Sequence, residues 1–294
     1  MISDSKNNYC VIMAGGIGSR FWPRSNKKLP KQFIDFLGTG RTLIQTTFDR
    51  FLKIVPLDHI FVITNIHYGD IVKEQLPELL PENILMEPAY RNTAPPVAWA
   101  AYHIRALNPD ACMVVTPTDQ YILDEEEFAK DINKGLEYVS RVNHLLTIGA
   151  PAVRPETSFG YIQIDESIES NIYKVKSFTE KPELEFARFF VDSGEFYWNT
   201  GLFMWNVNTI LDAMTKLIPD IGSMIEEVNV SSAFLESEQK YVEMFYSSCP
   251  NISIDYGILE KSDHVDVLTC DFGWRDIGSW NTLYEMAPKH RDQN

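Results

Sequence analysis

The sequence predicts an α/β fold, a mixed and mostly parallel sheet with helices on both faces. Three observations predict it. Short apolar runs recur through the first half of the chain, stretches of helical length separate them, and the first run ends directly on a glycine pair. Strands joined by helices of that length imply right-handed crossovers and parallel pairing, with both faces of the sheet covered. Such Rossmann-like sheets receive ligands at the carboxyl ends of their strands, so the residues after each run are where chemistry is sought.

The elements come in order. Tyr9–Ala14 is an apolar strand, and Thr42 caps a helix running to about Ile54 with Leu43, Thr47, Phe48 and Phe51 on its apolar side. His59–Thr64 reads as strand, Asp70–Leu80 as helix and Ile84–Met86 as a short strand. Thr93–Leu107 is a helix that tolerates Pro95 and Pro96 because they fall in its first turn. Ala111–Thr116 is a buried strand ending at Pro117. Asp124 is the N-cap of the next helix, whose first-turn Glu125, Glu126 and Glu127 suit its positive end. Leu145–Ile148 closes this series. Beyond Pro151 the pattern changes: Tyr161–Ile164 and Tyr173–Phe178 alternate as a hairpin, Pro182–Ser193 is helical, Gly201–Trp205 strand-like, and Thr209–Val228 one long helix. With no linker or repeat, the expectation is one domain over 1–294, with one half at about 9–150 and the other at about 151–285.

Composition narrows the function. The chain of 294 residues carries a net charge of −15, which argues against sequence-independent nucleic-acid binding, since phosphate backbones are held by basic faces. An anionic small ligand would need a local basic pocket set against that field. The four cysteines are scattered without metal-ligand spacing and read as buried residues of a reducing compartment. The N-terminus reads as neither a signal peptide nor a membrane span, so a cytoplasmic protein without a membrane partner is expected.

The stretch Gly15-Gly16-Ile17-Gly18-Ser19-Arg20 comes directly after the first strand. Glycines there let backbone N–H groups approach phosphate oxygens, although a plain structural turn has the same composition. Spacing excludes two phosphate-binding classes: no Lys completes a Walker A pattern, and Phe21 stands at the third glycine position of a dinucleotide fingerprint. The chain continues instead as a basic, rigid segment through Arg20, Arg24, Lys27, Lys28 and Lys31.

The segment GGIGSRFWPRSNKKLPKQF resembles the N-terminal motif of the mannose-1-phosphate guanylyltransferases, within the sugar-nucleotide pyrophosphorylase superfamily. Further blocks recur in that family's order: EPAYRNTAPP, TPTDQYI, FGYIQ, FTEKP, WNTGLFMW, SIDYGILEKS and GWRDIGSW. They span Val11 to Trp280, nearly the whole chain.

The resemblance implies the nucleotide-diphospho-sugar transferase type of sheet and a reaction. A phosphate oxygen of mannose 1-phosphate attacks the α-phosphorus of GTP, giving GDP-mannose and pyrophosphate. A sugar phosphate is already ionised near neutral pH, so the difficulty is bringing two polyanions together and stabilising the leaving group; Mg2+, Arg, Lys and backbone N–H groups serve that end. By resemblance, Asp119 and Asp276 bind the metal and act catalytically with Arg20 and Lys31. Ala14, Gly15, Gly16, Gly18, Ser19 and Arg20 line the nucleotide. Arg91, Asn92, Thr93 and Ala94 belong to the guanine pocket, with Glu87 expected to orient Arg91. Glu180 meets sugar hydroxyls, Lys181 the sugar's phosphate, Asn199 the sugar, and Gly160 lets it approach. The aromatics of Phe196–Trp205 are expected in the core rather than as a sugar platform.

Relatives continue into a β-rich segment or an isomerase domain, and the expectation is that this chain lacks both. Two other readings stay open. One is a guanylyltransferase for another sugar 1-phosphate, such as heptose 1-phosphate. The other is a silent regulatory subunit, which would be expected to have lost Arg20, Lys31, Asp119 or Asp276. A homodimer also stays open.

Overall fold

The computed structural model describes residues 5–226 and 232–286. Nine strands form its main sheet in the order β3-β2-β1-β4-β9-β6-β10-β8-β7. The strands are β1 (Asn8–Met13), β2 (Ile60–Asn65), β3 (Ile84–Glu87), β4 (Cys112–Pro117), β6 (Leu145–Pro151), β7 (Gly160–Glu169), β8 (Ile172–Glu180), β9 (Phe196–Asn206) and β10 (Val265–Thr269). Strands β1 to β4 pair in parallel, as do β6 and β10. Strand β9 runs against both blocks and joins them. The predicted hairpin is β7–β8, and β7 also pairs with the start of β9.

Each parallel strand buries both faces, which explains its unbroken apolar run. Along β1, Tyr9 and Val11 enter one core cluster while Cys10 and Ile12 enter the other. The first cluster packs under α3 (Ala94–Leu107), α6 (Val207–Leu217) and α8 (Ser232–Ser248); the second packs under α1 (Leu43–Phe51), α2 (Gly69–Gln75) and α4 (Glu125–Val139). Asp124 caps α4 as expected, its Oδ1 accepting from the N–H groups of Glu126 and Glu127. Helix α5 (Leu184–Ser193) lies against β9. Trp198 and Trp205 are core residues, and all four cysteines are free and buried. No helix among the described residues is long and apolar enough to cross a membrane.

Two predicted helices are cut short by proline. Helix α2 stops at Gln75 instead of Leu80, because Leu76 precedes Pro77 and is held out of the helical region. The long helix from Thr209 divides at Ile218 into α6 and α7 (Pro219–Glu226) for the same reason; its predicted end at Val228 lies outside the described residues. The sequence reading also missed β10, α8 and a π-helical turn at Asp255–Leu259.

A second, two-stranded sheet matters for the site. Strand β5 (Gln120–Tyr121) pairs antiparallel with β11 (Arg275–Asp276), which leads into α9 (Trp280–Met286).

Candidate active site

The glycine loop leaves β1 at the carboxyl end of the parallel block. Ala14 anchors it, its N–H donating to the carbonyl of Ile63. Gln32, 1% exposed, holds the loop from below: its Nε2 donates to the carbonyls of Ala14 and Gly16 at 2.7 and 2.9 Å. Sequence reasoning does not single out Gln32, which sits inside a basic segment and carries no charge of its own. Gly16, Ser19 and Arg20 are exposed, Gly15 and Gly18 half-buried. Gly18 adopts a φ of 66°, and a Cβ there would lie 2.6 Å from Cγ of Lys31. Only glycine both permits that backbone and lets Lys31 pass beneath the loop.

Lys31 Nζ bonds to Oδ2 of Asp119. Asp119 lies just after β4, and its backbone carbonyl accepts from the N–H of Ile277 at 2.7 Å. The β5–β11 register sets Asp276 opposite Gln120. The two carboxylates thus share one rim although 157 residues separate them. The pKa of Asp276 is raised, first by burial and then by the charge of Asp119; Lys31 and Arg20 oppose the rise, and Glu156 adds to it. Arg20, Lys31 and Asp119 therefore all act electrostatically on Asp276. Arg24, Lys27 and Lys28 are exposed and do not figure among the charges acting on Asp276.

Among the described residues no cluster of three or more His, Cys, Asp or Glu could cage a metal. Two carboxylates at one rim nevertheless fit a divalent cation that keeps waters and takes phosphate oxygens for its remaining ligands.

At the end of β3, Glu87 is 3% exposed, and burial raises its pKa to about 7. Its expected role of orienting Arg91 is not what the structure shows: Glu87 Oε1 accepts from the Tyr246 hydroxyl at 2.9 Å, and Arg91 Nε donates to the Tyr246 carbonyl at 3.2 Å. Asn92 stands at φ 65°, its Oδ1 accepting from Thr93 N–H. Thr93 Oγ1 accepts from Ile254 N–H, and Ala94 N–H donates to the carbonyl of Ile252. The helix-opening N–H groups of Thr93 and Ala94 are thus already engaged, as are Arg91 Nε and Asn92 Oδ1.

On the opposite side, Glu180 pairs with Lys181. A Cβ on Gly160 would lie 2.5 Å from Glu180 Oε2 and 3.3 Å from the Asn199 Cβ. The glycine expected to admit a sugar makes room for these side chains. Asn199 Oδ1 accepts from Thr147 Oγ1, and its Nδ2 donates to Asp255 Oδ1 at 2.9 Å. Asn199 therefore arrives with its carbonyl already engaged. Asp255, missed in the sequence, opens the π-helical turn; burial, then the charge of Glu180, raises its pKa to about 6. Glu180 also receives support from Glu260, whose Oε1 accepts from Glu180 N–H.

A cavity of about 160 Å³ lined by Arg154, Phe159, Trp198, Trp274 and Asp276 opens beside the carboxylate rim. A larger one, about 750 Å³, lies beyond Trp274 toward Phe36 and α9. The smaller is the relevant one, because Asp276 forms part of its wall.

Comparison with known proteins identifies the family. A mannose-1-phosphate guanylyltransferase of Salmonella montevideo is 37% identical over 292 residues, covering 97% of this chain. One of Escherichia coli K12 is 37% identical over 297 residues. The chain spans about 61% of the length of these curated relatives. A solved structure from Thermus thermophilus, described as a mannose-1-phosphate geranyltransferase, superposes with a TM-score of 0.84 at 28% identity, covering 96% of this chain and 80% of that one. A UDP-glucose pyrophosphorylase complexed with UDP-glucose, at 15% identity and TM-score 0.59, shares the fold. The model of the nucleotidyl transferase family matches residues 9–293, which takes in the glycine loop, the carboxylate rim and both flanking subsites, and the chain belongs to that family.

Proposed function

We propose that this chain transfers GMP from GTP to α-D-mannose 1-phosphate, releasing GDP-mannose and pyrophosphate, as a cytoplasmic enzyme that requires Mg2+. The observation that carries the reading is the joining of Lys31 to Asp119 beneath the glycine loop, with Asp276 on the same rim. The names of the curated relatives support the choice of substrates.

In this reading the half at 9–150 holds GTP and the half at 151–285 the sugar phosphate. Backbone N–H groups of Gly15 to Ser19 face the triphosphate, and Arg20 and Lys31 set positive charge beside it. Glu180 and Asn199 bind the sugar, with Lys181 at its phosphate. The sugar phosphate oxygen forms a bond to the α-phosphorus of GTP as the bond to the β-phosphate bridging oxygen breaks, and pyrophosphate takes the electron pair. No protein group need remove a proton, because the nucleophile is already an anion. Asp119 and Asp276 would hold Mg2+, which when bound supplies Lewis-acid stabilisation of charge on the phosphates.

The test is pyrophosphate release from an array of NTPs and sugar 1-phosphates in the presence of Mg2+. Turnover is expected to be highest with GTP and mannose 1-phosphate. Faster turnover with another sugar 1-phosphate would overturn the mannose assignment, and no pyrophosphate from any pair would overturn the enzyme.

A further inference from the structure

Tyr246 lies on α8, 1% exposed, and touches the loop after β3 twice. Its hydroxyl donates to Glu87 at one end of the loop, and its backbone carbonyl accepts from Arg91 nearer the other. Ile252 and Ile254, just beyond α8, continue the attachment to Ala94 and Thr93.

The hydroxyl is not needed for packing. The ring stands edge-on to Trp99 at 6.2 Å and to Phe245 at 5.3 Å, contacts that a phenylalanine would make equally well. What the oxygen adds is a fixed position for the Glu87 carboxylate. With Oε1 held by α8, Oε2 turns toward the glycine loop, 3.1 Å from where a Cβ on Gly15 would stand. A buried acceptor is thereby presented at the carboxyl ends of β1 and β3, beside the loop that carries Arg91 and Asn92.

We propose that Tyr246 is a positioning residue for nucleobase choice, fixing Glu87 and Arg91 so that the cleft offers an acceptor to a base with adjacent N–H donors. The proposal rests on the guanylyl reading above. Guanine presents N1–H and N2–H₂ toward such an acceptor, whereas adenine presents the unprotonated N1, leaving the carboxylate unpaired.

The experiment compares wild type, Tyr246→Phe, Glu87→Gln and the double variant. It measures kcat and KM for GTP, ATP and mannose 1-phosphate, and Tm. Tyr246→Phe is expected to lower the ratio of kcat/KM for GTP over ATP by about tenfold or more, with the KM for mannose 1-phosphate within about twofold of wild type. Glu87→Gln should reproduce the change, and the double variant should add little, because both act on one carboxylate. Should the wild type prefer another NTP, the guanylyl reading fails by itself, and the ratio of that NTP to its nearest competitor is followed instead. An unchanged ratio in Tyr246→Phe, or a uniform loss for both nucleotides and the sugar phosphate in step with Tm, overturns the positioning role. If Tyr246→Phe does not fold, Glu87→Gln decides: preserved nucleotide preference overturns the proposal.

Discussion

The Nζ of Lys31 lies against Oδ2 of Asp119, 88 residues further along the chain, and this pair stands beneath the glycine loop. Both side chains are only about one-fifth exposed, so the cost of taking the two charges out of water offsets much of their attraction and the pair adds little net stability. Its larger consequence is functional. Lys31→Ala and Arg20→Ala are each expected to lower kcat/KM by about 10²-fold while Tm moves only slightly. The double variant should lose less than the product of the single losses, because in the proposed reading both cations address one triphosphate. Steady-state kinetics with thermal melts decide this, and two small, multiplying defects would count against a shared site.

Removing charge from the carboxylate rim should separate activity from stability. In Asp276→Asn, kcat is expected to fall by about 10²-fold or more, because the proposed reading has this carboxylate hold the metal. Burial and the repulsion of Asp119 raise the pKa of Asp276 in the folded state, so its ionised form opposes folding. At pH 8 the variant should therefore melt no lower than wild type. A clear drop in Tm without loss of turnover would reverse the assignment.

Asp255 gives a pH-dependent version of the same argument. Its pKa is raised to about 6 in the folded protein by burial and by Glu180. A raised carboxyl pKa gives stability that is present in full below the unfolded value, near 4, and lost as pH rises through about 6. Asp255→Asn escapes that loss, and its amide oxygen can still accept from Asn199 Nδ2. Its Tm should exceed that of wild type by a few degrees at pH 8, with the difference closing toward pH 4. Melts across this range check it, and a gap that does not vary with pH would show that the charge is relieved elsewhere.

Asn92 needs two substitutions to be read. At φ 65° its backbone suits glycine but strains alanine. Asn92→Gly removes the side chain and keeps the turn, so it should narrow the GTP-to-ATP ratio and leave the KM for mannose 1-phosphate nearly unchanged. Asn92→Ala should lower Tm as well. If Asn92→Gly weakens the sugar phosphate and spares base choice, the loop belongs to a different subsite.

The sequence by itself determined the fold class and the kinds of groups at the site. Alternating burial along β1 and the Asp124 cap are local matters, written within a few neighbouring residues. Local periodicity overran at Pro77 and Pro219, where the residue before each proline leaves the helix. It also missed β10, whose five residues take their strand conformation from pairing with β6 and β8. Tertiary structure alone decided the partnerships. Asp276 reaches Asp119 because β11 pairs with β5, Gln32 supports the glycine loop because the chain folds back under it, and Tyr246 holds Glu87 across 159 residues. The carbonyl of Asn199 was turned inward by Thr147, and Gly160 was given to clearance for Glu180. A residue's type limits the bonds it can make; which bond it makes depends on what the packed sheet brings within about 3 Å of it, and no local pattern carries that distance.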